Sequence, residues 1–169
     1  MKKELTKYLK SLTEKELIQE VKKLHDKFES VKKYYELELG ESTEKVLKEF
    51  KERIKKEYFP KRGFGKARNS ESKKVISEFR KISVHQKDIV ELLLYRTEMM
   101  LAFTNEYGDM NASYYNSLES GFEQACKLIK KEQLRSEYRI YCQELVGKSF
   151  GFGWGVHDTL RHYYREYVD

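Results

Sequence analysis

The chain has 169 residues, of which 37% are charged, 39% hydrophobic and 14% aromatic, with a formal net charge of +6 and a single proline. That aromatic content excludes a disordered chain, and no run approaches the roughly 18 apolar residues of a membrane span. Two cysteines, Cys126 and Cys142, form no CxxC, so neither a zinc knuckle nor a redox pair is signalled.

Breakers are scarce, so long helices are expected. Leu5, Leu9 and Leu12 recur at helical spacing and predict a short first helix. Thr13-Glu14-Lys15-Glu16 reads as a capping box that opens a second helix. Its face carries Leu17, Val21, Leu24, Phe28 and Val31, then Tyr35, until Gly40 stops it. A third helix is expected from Ser42 to Tyr58, with Val46, Leu47, Phe50 and Ile54 apolar, ended by Pro60. Residues 60–69 are a loop by composition.

A fourth helix is predicted from Ser70 to Ile82, with Val75, Ile76 and Phe79 inward. Ser83-Val84-His85-Gln86 is a second capping box before the most apolar helix, which carries Ile89, Leu92, Leu93, Met99, Met100 and Phe103 and belongs at the centre of the core. Gly108 supplies its C-cap, and Asn111 starts the next helix, with Tyr115, Leu118, Phe122 and Ala125 inward. Two more are expected, from Gln133 to Val146 and from His157 to Tyr167. No segment alternates as a strand would. The expected fold is all-α, a single-domain bundle of about seven or eight helices over residues 1–169, large enough to bury a core without disulfide or metal. No apolar run follows the charged start of the chain, so no secretory signal is expected and the compartment is the cytoplasm.

The charge is local. Residues 53–74 hold nine basic side chains against Glu57 and Glu71, a balance of +7 that leaves the rest of the chain at −1. Within this segment Lys55, Lys56, Lys61, Arg62, Lys66 and Arg68 suit phosphates, and Phe64 suits stacking on an unpaired base. Gly63 and Gly65 would let backbone approach a phosphate. A second segment, residues 147–158, interleaves four glycines with Phe150, Phe152 and Trp154 before His157 and Asp158. It follows no strand, so it is no dinucleotide fingerprint; an aromatic connection or a protein interface fits better, with Phe152, Trp154, His157 and Asp158 as the contact residues.

Asp158 and His162 are one helical turn apart and would share a face, but a third metal ligand is missing from that helix. No metal, cofactor or catalytic set is therefore expected. Glu106 and Asp109 near the Gly108 turn read as a solvated helix end. Arg80-Lys-Ile-Ser-Val-His85 resembles the R-x4-H active site of helical HEPN ribonucleases, whose arginine and histidine act together on a phosphodiester. Here Arg80 should end one helix and His85 begin the next, a departure from that layout. The N-terminal helix pair loosely resembles DNA-binding SAP modules.

Three segments in order, Phe59-Pro60-Lys61-Arg62-Gly63 with Lys66-Ala67-Arg68, then Phe103-Thr104-Asn105-Glu106-Tyr107-Gly108-Asp109, then Gly153-Trp154-Gly155 with His157-Asp158, resemble a family of small, all-helical bacterial proteins of unknown function. The likeness covers nearly the whole chain and implies no mechanism. The functional expectation is a non-enzymatic binding or adaptor protein that contacts an anionic partner, nucleic acid, through residues 53–74, with no membrane partner. A protein–protein module built on residues 147–158 is the first alternative. A metal- or histidine-dependent hydrolase using His157, Asp158 and His162 is the second.

Overall fold

A computed structural model describes residues 1–39, 43–83 and 85–169. Every regular element among them is a helix: α1 (Lys2–Ser11), α2 (Glu14–Lys27), α3 (Glu29–Glu38), α4 (Thr43–Tyr58), α5 (Asn69–Arg80), α6 (Gln86–Tyr107), α7 (Ala112–Lys131), α8 (Arg135–Lys148) and α9 (Val156–Tyr167). The fold is all-α, with nine helices among the described residues instead of seven or eight.

The extra helix comes from the expected run of Leu17 to Tyr35, which breaks at Phe28. Its backbone is extended (φ −121°, ψ 117°), and it serves at once as the C-cap of α2 and the N-cap of α3. The amide of Phe28 still donates to the Leu24 carbonyl, while its own carbonyl accepts from Val31 and Lys32. The chain thus changes direction within one residue, and α3 folds back against α2. No glycine or proline marks this break.

Upstream, the Thr13 capping box forms as expected: the Glu16 amide donates to Thr13 Oγ1 (3.3 Å) and the Thr13 amide to Glu16 Oε2 (2.8 Å). The helix it opens nevertheless buries nothing, and neither does α1. Leu5, Leu9, Val21 and Leu24 face outward, contrary to the inward apolar face that their spacing suggests. The Gly40 stop and the Ser42 start lie outside the described residues.

From α3 onward the apolar faces are covered. Leu37 is buried, and Lys33 binds Glu49 of α4 at 2.6 Å. Val46, Phe50, Ile54 and Tyr58 succeed one another every four residues and form one buried stripe of α4. Helix α6 is the centre, as its composition predicts: it is apolar nearly all round and packs against α4, α5, α7 and α8. Asn111 caps α7 by accepting from the Tyr114 amide at 3.0 Å, and Gly108, at φ +91°, closes α6. The second capping box does not form. His85 is the N-cap of α6 without a side-chain bond, and Ser83 Oγ donates to the His85 carbonyl; Val84 lies outside the described residues. No helix among the described residues is long and apolar enough to cross a membrane.

Candidate functional site

The basic segment begins near the end of α4 with Arg53, which pairs with Glu78 of α5, and continues on the last turn, where Lys55 and Lys56 are exposed, as favoured near a helix C-terminus. Beyond Pro60 the chain doubles back along α4. Gly63 turns it at φ +74°, and Gly65 lies flush on the helix, where a Cβ would stand 1.8 Å from the Tyr58 carbonyl oxygen. Gly65 therefore lets the loop close on its own scaffold, a different use from the phosphate approach expected of it.

Two further contacts hold the return. The Ala67 amide donates to the Glu57 carbonyl at 3.0 Å. Arg68 meets the Glu57 carboxylate with Nε at 2.9 Å, with a terminal guanidinium nitrogen at 3.0 Å, and with its backbone amide at 2.9 Å. These bonds to Arg68 hold the Glu57 carboxyl below its ordinary range, against the opposing effect of burial. Arg68, expected at the anionic contact, is thus engaged within the protein.

Lys55, Lys56, Lys61, Arg62 and Lys66 are all exposed, and among the described residues none has a carboxylate at ion-pair distance. Phe64 is 83% exposed, with its ring edge-on to Tyr107 at 6.1 Å. Phe59 is half-buried between Phe103 (6.0 Å) and Tyr107 (6.3 Å).

Tyr107 ends α6, so the loop sits beside the Asn105–Asp109 turn. On the other side of that turn lies the connection from α8 to α9. Asp109 accepts from the Tyr115 hydroxyl, and Gly153 crosses so near its carboxylate that a Cβ would stand 3.4 Å away. Thr104, Asn105, Asp109, Gly151, Phe152 and Gly153 enclose a cleft of about 400 Å³. The three segments that carry the family likeness therefore meet at one end of the bundle, although more than thirty residues separate each from the next.

Within the Gly/aromatic connection the chain takes up left-handed backbone at Gly151, Trp154 and Gly155 (φ +83°, +62°, +72°). Phe152 turns inward to Tyr115, whereas Phe150 and Trp154 stay exposed, the latter at 65%. The polar residues that follow are each satisfied separately. His157 Nδ1 lies 3.2 Å from Ser149 Oγ and 3.1 Å from the Val146 carbonyl; Asp158 pairs with Arg161 and His162 with Glu166. His157, Asp158 and His162 are thus not drawn into one set, and the described residues contain no cluster of three or more metal-ligating side chains. Glu106 is exposed, while Asp109 is taken by Tyr115, so they do not act as a carboxylate pair. Arg80 reaches Gln124 of α7 (3.3 Å), and His85 caps α6.

One residue that spacing does not single out is Arg96, in the middle of α6 and 1% exposed. The available signal was a cation in the middle of the most apolar helix, a position that is costly unless the fold supplies partners.

The family of unknown function DUF6155 matches residues 1–167, and the chain belongs to it. No curated protein and no solved structure matches.

Proposed function

We propose that this member of a family of unknown function is a non-enzymatic binding protein that contacts the phosphates of a nucleic acid through Lys55, Lys56, Lys61, Arg62 and Lys66. The observation that carries the reading is the construction of loop 59–68. Gly65 and the Arg68–Glu57 pair fasten its inner side, while Lys61, Arg62 and Lys66 flank the exposed Phe64 in sequence, each exposed and, among the described residues, without a carboxylate at ion-pair distance. A fixed loop loses little freedom on binding, so its charges act without first having to be ordered. Phosphate contacts supply affinity and little sequence readout, and a ring stacked on a base adds about 1–3 kcal/mol. Single strands, whose bases are free to stack, suit this surface best. The cytoplasm of a bacterium fits such a partner, and the two buried free cysteines fit a reducing compartment.

Fluorescence anisotropy with single- and double-stranded DNA and RNA across a salt series tests the proposal. Each phosphate contact contributes about 0.7–0.9 to the negative log–log slope. The slope is expected to shrink in Lys61→Glu/Arg62→Glu, and Phe64→Ala to weaken single strands selectively. Flat titrations at low salt overturn it.

The exposed Phe150 and Trp154 favour a second reading, a protein interface on the same end of the bundle. Its mark is a shift of Trp154 emission with protein concentration, absent in Phe150→Ser.

A further inference from the structure

Helices α5 and α7 both lie on α6 and leave a groove between them. Arg96 forms its floor. The guanidinium donates from Nε to Ser72 Oγ (2.8 Å) and from its terminal nitrogens to Ser117 Oγ (2.7 Å), the Ser117 carbonyl (3.1 Å) and Asn69 Oδ1 (3.4 Å). All four acceptors are neutral. Its hydrogen bonds are largely met, but its charge is not. Among the described residues no carboxylate stands within ion-pair distance of Arg96, and a buried charge without a counter-charge is strongly unfavourable.

The rest of the protein treats its sheltered cations differently. Lys33 has Glu49, Lys51 has Glu91 and Arg53 has Glu78. Around Arg96 the pattern reverses, and further positive charge is added. Lys73 and Arg80 of α5 line the same groove, opposite Ser120 and Gln124 of α7, and among the described residues the groove walls carry no acidic side chain. Burial first, then the charge of Arg96, push the Lys73 ammonium below its ordinary range. An anion in the groove would relieve both.

Gly121 is the window. A Cβ there would stand 3.0 Å from a terminal nitrogen of Arg96, so glycine keeps the α7 wall open over the guanidinium. Four of the five guanidinium N–H donors are used by the bonds above, leaving one on the nitrogen beside Gly121. The inner compartment there holds about 190 Å³, enough for a tetrahedral oxyanion with water, whose share of liquid is about 30 Å³ per molecule. It adjoins an outer compartment of about 560 Å³ across Lys73, walled by Asn69, Ser70, Ser113, Asn116 and Ser120.

We infer that the α5–α7 groove is a binding site for a phosphate group, held by Lys73, Arg80 and, from beneath, Arg96, with the outer compartment taking the polar body of a phosphate ester. Guanidinium and ammonium groups bind phosphate by charge-assisted hydrogen bonds, and the serine and amide side chains add neutral donors. This site is separate from the basic loop and does not depend on the nucleic-acid reading.

Isothermal titration calorimetry of the full chain with inorganic phosphate, at low ionic strength in a chloride buffer, is the test. One saturable site per chain is expected, and the Arg96 Nε–H resonance should shift along the same titration. Lys73→Ala/Arg80→Ala alters two exposed side chains, so the fold is retained, and it should weaken phosphate by about tenfold or more. Lys61→Glu/Arg62→Glu, which removes the loop charge, should leave phosphate binding unchanged. A loss there instead would overturn the assignment to the groove. Tighter binding of ribose 5-phosphate than of inorganic phosphate supports an ester ligand, and equal binding supports the free ion. No saturation by about 20 mM phosphate, or equal affinity in Lys73→Ala/Arg80→Ala, would falsify the site.

Discussion

Helices α2 and α6 both carry apolar residues at helical spacing, and the fold treats them in opposite ways. The stripe of α2, with Leu17, Val21 and Leu24, ends in no buried residue, whereas α6 buries twelve of its own. The difference lies in what surrounds each helix. Four helices pack on α6, while α2 has α3 folded back on it and little else. Periodicity tells which face of a helix is apolar; it does not tell whether another element arrives to cover that face. Helix α2 must therefore draw its order from local devices, chiefly the Thr13–Glu16 capping box, and α6 from tertiary packing.

The largest test of this contrast sets a core position against an arm position. Phe122→Ala, fully buried under α6, is expected to cost about 3–5 kcal/mol in chemical denaturation. Val21→Ala, 41% exposed on α2, should stay within about 0.5 kcal/mol. Similar losses from both would mean that the α2 face is covered in solution. A smaller effect sharpens the point. Thr13→Ala removes the cap and should cost α2 about 1 kcal/mol, seen as faster amide exchange along Glu14–Lys27 while the denaturation midpoint of the remaining helices holds. A midpoint that falls with the cap would show the arm and the bundle unfolding together.

Elements whose signals are local were legible in the sequence. The caps Thr13, Gly108 and Asn111 and the inward stripes of α4 and α7 follow from residue type and spacing alone. The break at Phe28 was not, because no glycine or proline records it. At the basic loop the charges were readable, but Arg68's engagement with Glu57 depends on how the loop doubles back. Arg96 was the least legible residue. Its acceptors come from Asn69 and Ser72 on one side and Ser117 on the other, each more than twenty residues away, so only the assembled helices make its burial tolerable.

Loop 59–68 differs from both regions: polar contacts to Glu57 add to the apolar packing of Phe59 and Ala67 in holding it. Its ion pair gives the smallest and most specific prediction. Arg68 keeps the Glu57 carboxyl below its ordinary value of 4.5, so the folded state binds fewer protons there than the unfolded chain. The stabilisation is then fully present above 4.5 and is lost as pH falls through the lower folded value. Glu57→Gln keeps one acceptor for Arg68 but loses the charged two-point pair. At neutral pH it should cost less than about 1 kcal/mol, because the pair is partly exposed and screened, with faster exchange of the Ala67 amide as the local sign. The difference between variant and parent should narrow as the pH is lowered below 4.5 and widen again on return. A difference that ignores pH would mean that shape alone, through Gly65 lying flush on Tyr58, holds the loop in place.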